Sequence, residues 1–151
     1  MTAIALPGLD ISAGPRRAIQ WLLTVFTNAG AAIISNRVIQ AGTAAKNVGW
    51  GIGTTAAAVG NTALVTESAP TTSGGRTVGT ESRVTITQTN DTYQVTGTVT
   101  AGTDLAITEA GLFDAVTAGG MLIRSVFSAV NVVGASADSI AFTFQLKMIP
   151  A

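Results

Sequence analysis

The side chains best equipped for chemistry in this chain are the carboxylates Asp104, Glu109 and Asp114, which follow one another at five-residue intervals. An odd interval along extended backbone puts successive members on opposite faces, so they do not form a catalytic pair on one strand face. A hydrolase using two carboxylates needs them roughly 5–10 Å apart in a cleft, and only loops at the ends of this stretch would bring two together. Turn and strand-end roles are expected for Asp104 and Asp114. Glu109 lies inside the apolar run LAITEAGLF. It is expected to be a buried carboxylate bonded to backbone amides or to an arginine, because an unpaired buried charge is too costly to keep.

Gly49-Trp50-Gly51-Ile52-Gly53-Thr54 has the glycine density of a phosphate loop, but neither the dinucleotide spacing nor the Gly-Lys-Ser/Thr ending is present. The expectation is structural: Gly51 and Gly53 let the backbone bend or approach another strand closely, with Trp50 packed over them. Arg76, Arg83 and Arg124 are scattered, without the interleaved aromatics that single-stranded nucleic acid requires. They are expected in interface ion pairs. Asn90-Asp91-Thr92 spells a glycosylation sequon, but in so Thr-rich a chain the match has little weight, and a tight turn explains it.

Composition narrows the classes further. The chain has no cysteine and no histidine, which rules out disulfides and thiolate metal sites and removes the commonest general base near neutral pH. No catalytic residue, cofactor or metal site is expected, and the chain reads as a non-enzyme. Eight Lys and Arg balance eight Asp and Glu, so no net field draws in nucleic acid or an anionic membrane. Charged residues make up only 11%, hydrophobic residues reach 47%, and the mean hydropathy is +0.47.

A membrane protein, a secreted β-rich polypeptide or a subunit covered by its neighbours would each account for so little charge. A bilayer span needs about 20 consecutive apolar residues, and the longest candidate, 18–26, is interrupted by Gln20 and Thr24. The N-terminus lacks a basic region before its apolar residues and reaches Pro7 and Asp10 too early for a signal peptide. Assembly is the remaining reading. A homo-oligomer is expected, with a trimer as first choice, because a lone subunit with so few charges is poorly protected against association.

The elements that must position these residues fit one mainly β domain. Residues 1–14 carry Pro7, Gly8, Asp10 and Gly14 among isolated apolar side chains and read as an extended arm. Pro15 and Asn28-Ala29-Gly30 would bracket an amphipathic helix over about 15–28. Its apolar arc, roughly 200° wide, exceeds the stripe of a little over 100° that one packing surface needs, which fits a helix touching both its own sheet and a neighbouring subunit and equally one sunk deeply into its own domain. On the first of these readings, Ile4, Leu6, Leu9 and Ile11 of the arm, with Trp21 and Val25 of the helix, are the candidate interface residues.

Strands are expected at about 32–40, 47–52, 62–67, 77–89, 92–100, 105–113, 120–130 and 138–148. Ile140, Phe142, Phe144, Leu146 and Met148 alternate with polar or small residues, giving one core face and one wetter face. A tight turn at Asn90-Asp91 would set Ile86 opposite Val95 and Val84 opposite Gly97, with every apolar residue on one face. Residues 68–82 read as an exposed loop. The expected fold is an antiparallel β-sandwich or barrel, jelly-roll-like, with the arm and helix at its N-terminus.

Three segments, taken in order, form a known pattern: WGIGTTAAAVGNTALVTE (50–67), TYQVTGTVTAGTDLAITEAGLFDA (92–115), and GGMLIRSVFSAVNV (119–132) followed by IAFTFQLKM (140–148). The chain resembles a family of small bacteriophage virion proteins, seen in tail-fibre and collar-associated proteins and in some capsid decoration, or cement, proteins. The most specific marker is Glu109-Ala110-Gly111-Leu112-Phe113-Asp114, followed after a glycine pair by a strand like MLIRSVFS. The resemblance covers roughly 50–148. It implies that Trp50, Gly51, Gly53, Glu109, Gly111 and Phe113 determine the fold.

It further implies a structural virion protein whose partners are copies of itself and a major capsid or tail protein. The lack of a long repetitive shaft after the domain favours a decoration subunit that trimerises on the capsid surface and bridges capsomers. A tail, neck or fibre-associated protein is the alternative. A receptor- or carbohydrate-binding module is another, resting on Trp21, Trp50 and Tyr93 as stacking surfaces.

Overall fold

The computed structural model describes residues 23–68 and 75–148. Strand β1 (Leu23–Phe26) comes first, and helix α1 (Asn28–Val38) follows at once. Both depart from expectation. The described part of the supposed 15–28 helix is a strand paired with a later one, and the supposed strand at 32–40 is mostly helix.

The cause is local. A short apolar run does not by itself distinguish helix from strand, and Thr27 starts a helix rather than following one: its hydroxyl accepts from the Gly30 amide at 3.0 Å as the N-cap. Gly30 is required at this point because a Cβ there would lie 2.6 Å from the Leu122 carbonyl oxygen. The arm, with Ile4, Leu6, Leu9 and Ile11, and residues 15–22 with Trp21, lie outside the described residues.

The other strands are β2 (Asn47–Gly51), β3 (Glu67–Ser68), β4 (Thr77–Val78), β5 (Thr80–Val84), β6 (Thr92–Thr100), β7 (Leu105–Phe113), β8 (Met121–Val132) and β9 (Ser139–Lys147). All pair antiparallel. The larger sheet runs β1-β8-β7-β2-β3, with β4 also on β2, and the smaller runs β5-β6-β9. Their facing sides share one core, in which Val48, Trp50, Ala110, Leu112 and Ile123 meet Val95, Val99, Ile140, Phe142 and Phe144. The Trp50 and Phe142 rings make an edge contact at 6.5 Å between centroids. Ile140, Phe142 and Phe144 are all buried, so the alternation in β9 does mark a core face.

The β5–β6 pairing corrects the expected hairpin. Val84 stands opposite Thr92, not Gly97, and Ile86 is in a loop, 47% exposed. Asn90 does take the positive φ expected of it, at 58°. The Asp91 carboxylate, however, accepts from the amides of Ile86, Thr87 and Gln88 at 2.8–3.0 Å. A side chain that satisfies three successive amides competes with the strand ladder, and here it ends β5 at Val84. Val84 consequently lies on the opposite face from Tyr93 and Val95.

Those amide bonds, led by Gln88 and Ile86, hold the Asp91 carboxyl far below the usual carboxylate range. Replacing Asp91 with Ala is expected to free the Ile86, Thr87 and Gln88 amides. Their hydrogen exchange should become faster than in the parent protein while the β6 and β9 amides keep their protection. Unchanged exchange at the three positions would mean that the loop is held by something else.

Candidate functional site

On the outer face of the larger sheet, the β2–β7 register sets Gly51 opposite Glu109 and Gly49 opposite Gly111, and the β7–β8 register sets Gly111 opposite Arg124. Glycine on β2 leaves room for a carboxylate and a covering loop. A Cβ on Gly51 would collide with the Thr66 carbonyl, and one on Gly53 would lie 2.7 Å from the Val65 Cβ. The segment 52–66 therefore crosses directly over Glu109.

Glu109 and Arg124 are both fully buried. Glu109 Oε1 accepts from the amides of Gly53 (3.1 Å) and Thr66 (2.8 Å). Its Oε2 accepts from the Val65 amide (3.1 Å) and from Arg124 Nε (3.0 Å) and Nη2 (2.8 Å). Arg124 also donates from Nη1 to the Ala56 carbonyl and Asn61 Oδ1, and from Nη2 to the Thr55 carbonyl. A guanidinium has five N–H donors, and each has an acceptor here. Burial alone would raise the Glu109 pKa, but the Thr66 amide, Arg124 and the Val65 amide together hold it below the ordinary value. A carboxylate so fully engaged has no free lone pair directed at a substrate; it clasps a loop.

A second ion pair repeats the arrangement nearby. Arg76 Nε and Nη2 donate to Glu67 Oε1 and Oε2 at 2.7 and 3.0 Å. Its Nη1 donates to the Ala115 and Ala118 carbonyls, and its guanidinium carbon lies 3.3 Å from the Phe113 ring centroid. Asp114 Oδ1 accepts from the Gly120 amide at 2.7 Å, closing the turn into β8. Asp104 similarly accepts from the Gly134 amide at 2.9 Å.

The three carboxylates are thus not brought together. Arg76 and Arg124 pair within the chain, which corrects their expected place in interface ion pairs. Trp50 is 1% exposed and offers no stacking platform, and its Nε1 has no hydrogen-bond partner among the described residues. Val25 is half-buried on the edge strand β1, opposite Arg124.

The surface feature that sequence reading missed is a groove of about 540 Å³ between α1 and the β5 end of the smaller sheet. Ile33, Ile34 and Val38 of α1, with Met148, line its apolar side, and Arg37, Glu81, Arg83 and Tyr93 line its polar side. The single Tyr93 Oη–H has two acceptors within reach, the Ala45 carbonyl (2.9 Å) and Glu81 (3.2 Å). Burial first, and then the Glu81 charge, push the Tyr93 phenol well above its usual value. Val38 and Ile39 are 77% and 73% exposed, and Met148 is 52% exposed. The sequence signal for this surface was the pair Val38-Ile39 beside Arg37. Reading 32–40 as a strand hid it.

The described residues contain no group of three acidic, histidine or cysteine side chains placed to hold a metal, and no helix long and apolar enough to cross a membrane. The class defined by fold and site is a mainly β protein of antiparallel sheets, fastened among the described residues by two internal ion pairs. No protein-family model, curated protein or solved structure matches this chain.

Proposed function

We propose that the chain is a structural subunit of a bacteriophage particle, most specifically a capsid decoration protein that stabilises the head by bridging capsomers. The supporting observation is how the segment with the virion resemblance is used. In Glu109–Asp114 the carboxylates hold backbone amides and Phe113 lies beneath Arg76, so the motif supports shape and leaves no reactive group exposed. A fold built this way suits a mechanical role, in which apolar surface buried against neighbours contributes roughly 25 cal/mol per Å² before association costs are subtracted.

Exposed Val38, Ile39 and Met148, low charge and open sheet edges support assembly with copies of itself, a trimer being the first choice. We read the two-sheet packing as a sandwich of the jelly-roll kind and the N-terminal segment as an arm that reaches a neighbour. A tail, neck or fibre position is the second reading, favoured because the same motif pattern extends to tail-fibre and collar-associated proteins.

The deciding experiment separates heads from tails in particles that contain this chain and also weighs the purified protein in dilute solution. The expected outcome is an oligomer that fractionates with heads. Fractionation with tails would transfer the role to the second reading. A stable monomer at micromolar concentration that is absent from both fractions would overturn the assembly reading.

A further inference from the structure

The smaller sheet leaves part of the larger one uncovered. β6 packs over β2, where a Cβ on Gly97 would lie 2.7 Å from Val48 Cγ2, and β9 is the last strand on its side of β6. The β1 end of the larger sheet therefore has no strand above it among the described residues. Thr24 marks the gap: its partner Ser125 stands opposite the core residue Ala110, so Thr24 lies on the core-facing side, yet it is exposed. At the margin of the gap, half-buried Phe127 meets the Phe142 ring of β9 at 6.3 Å between centroids.

The wall of the gap is the free edge of β9. The Ala101 amide donates to the Asp138 carbonyl and the Met148 amide to the Asp91 carbonyl, and both pairs continue the β6–β9 register. Even-numbered residues of β9 are thus the ones bonded to β6. Ser139, Ala141, Thr143, Gln145 and Lys147 turn their N–H and C=O groups outward, with no strand partner among the described residues. Their side chains take the outer face, while Phe142, Phe144 and Leu146 take the core side. Lys147 ends the row; its ammonium donates to Thr87 Oγ1 and joins no ion pair among the described residues. An occupant suited to this edge is extended, apolar toward the core side and negative on the outer side.

Residues 8–14, Gly-Leu-Asp-Ile-Ser-Ala-Gly, have this pattern. In extended backbone Leu9, Ile11 and Ala13 share one face and Asp10 and Ser12 the other. Asp10 is the only charged side chain within 1–14, and Pro7 and Pro15, which have no N–H to donate, fall just outside the segment. Set antiparallel to β9 with Asp10 opposite Lys147, the segment brings Ser12 opposite Gln145 on the outer face, and Ile11 and Ala13 beside Leu146 and Phe144 on the core side. One register serves both faces. Residues 15–22 can bridge up to roughly 30 Å, against a radius of gyration of ~15 Å for a compact chain of this length, so the segment has the reach to leave its own subunit.

We propose that the free edge of β9 receives residues 8–14 of a second copy as an added strand, with Asp10 against Lys147 and the apolar face of the segment turned toward the uncovered β1 end of the larger sheet. Strand addition gives affinity through the backbone, and the alternating side chains give register. This contact rests on the assembly reading and names where the arm of the neighbour binds.

The test uses full-length chains, with sedimentation velocity for mass and amide hydrogen exchange measured above and below the concentration at which the oligomer dissociates. In the oligomer the Thr143, Gln145 and Lys147 amides should be protected, and on dilution they should lose that protection while the Phe144 and Leu146 amides keep theirs. Asp10→Lys and Lys147→Glu should each weaken association by about tenfold, because each places like charges in contact. An equimolar mixture of the two variants should recover much of it, since each arm then meets a complementary edge on the other chain. Protection of the three amides that persists in the monomer would place the arm on its own subunit and overturn the exchange. An oligomer in which they exchange freely, or one indifferent to both charge reversals, would overturn the β9 contact and leave assembly standing. A wild-type chain that is monomeric at every concentration would overturn both.

Discussion

Replacing Glu109 with Ala should destabilise the protein by about 3–5 kcal/mol, the cost of breaking a buried pair and leaving its partner charged and unpaired. Arg124 would lose the acceptor for its Nε and one for its Nη2 at zero exposure, and the amides of Gly53, Val65 and Thr66 would lose theirs. The segment 52–66 would then lose its clasp. Chemical denaturation of the parent and Glu109→Ala proteins measures the effect; a loss below about 1 kcal/mol, the size of one ordinary hydrogen bond, would show that the loop does not depend on this carboxylate.

The same site gives a pH dependence. The folded-state pKa of Glu109 lies below its ordinary value, so its contribution is present above the unfolded carboxylate range and is lost as pH falls through the folded value. Stability of the parent should decline below about pH 4, and Glu109→Gln should decline less steeply over that window. An identical acid profile for the two proteins would contradict the assignment.

Trp50→Ala should cost a further large amount, about 3–5 kcal/mol, as expected for truncating a buried aromatic in a packed core. Trp50 is buried where the two sheets meet, edge-on to Phe142, so its removal opens a cavity lined by both. Its indole nitrogen has no partner among the described residues, so losing that N–H breaks no hydrogen bond to them. Trp50→Phe should therefore recover much of the loss seen with Ala. Urea midpoints of the three proteins decide it, and a Phe variant as unstable as the Ala variant would mean that the edge contact, and not filled volume, is what matters.

The legible and illegible parts of this molecule divide along physical lines. Strands β6 and β7 fall at 92–100 and 105–113 as expected, because alternation and turn residues delimit them without outside help. Glu109 was legible because a carboxylate inside an apolar run demands partners. Its pairing with Arg124 was not, since that depends on the β7–β8 register and a bulge between Ile107 and Glu109.

Residues 23–38 were misread because apolar runs broken by small polar residues suit either state, and the choice is made by β1 pairing with β8 and by the Thr27 cap. The hairpin register failed because Asp91 captures three amides, a competition that strand periodicity does not reveal. The groove joins residues 33–38 to 81–83, Tyr93 and Met148. Contacts at such separations have no local signature.

The central claim, that this chain is a head-decorating subunit, meets its most direct measurement in re-addition of the purified protein to phage heads stripped of it. Saturable binding at a fixed number of sites per head, with occupied heads surviving heating that ruptures bare ones, is the predicted result. Stripped heads that take up none of the protein, or that bind it without any gain in resistance to heating, would contradict it.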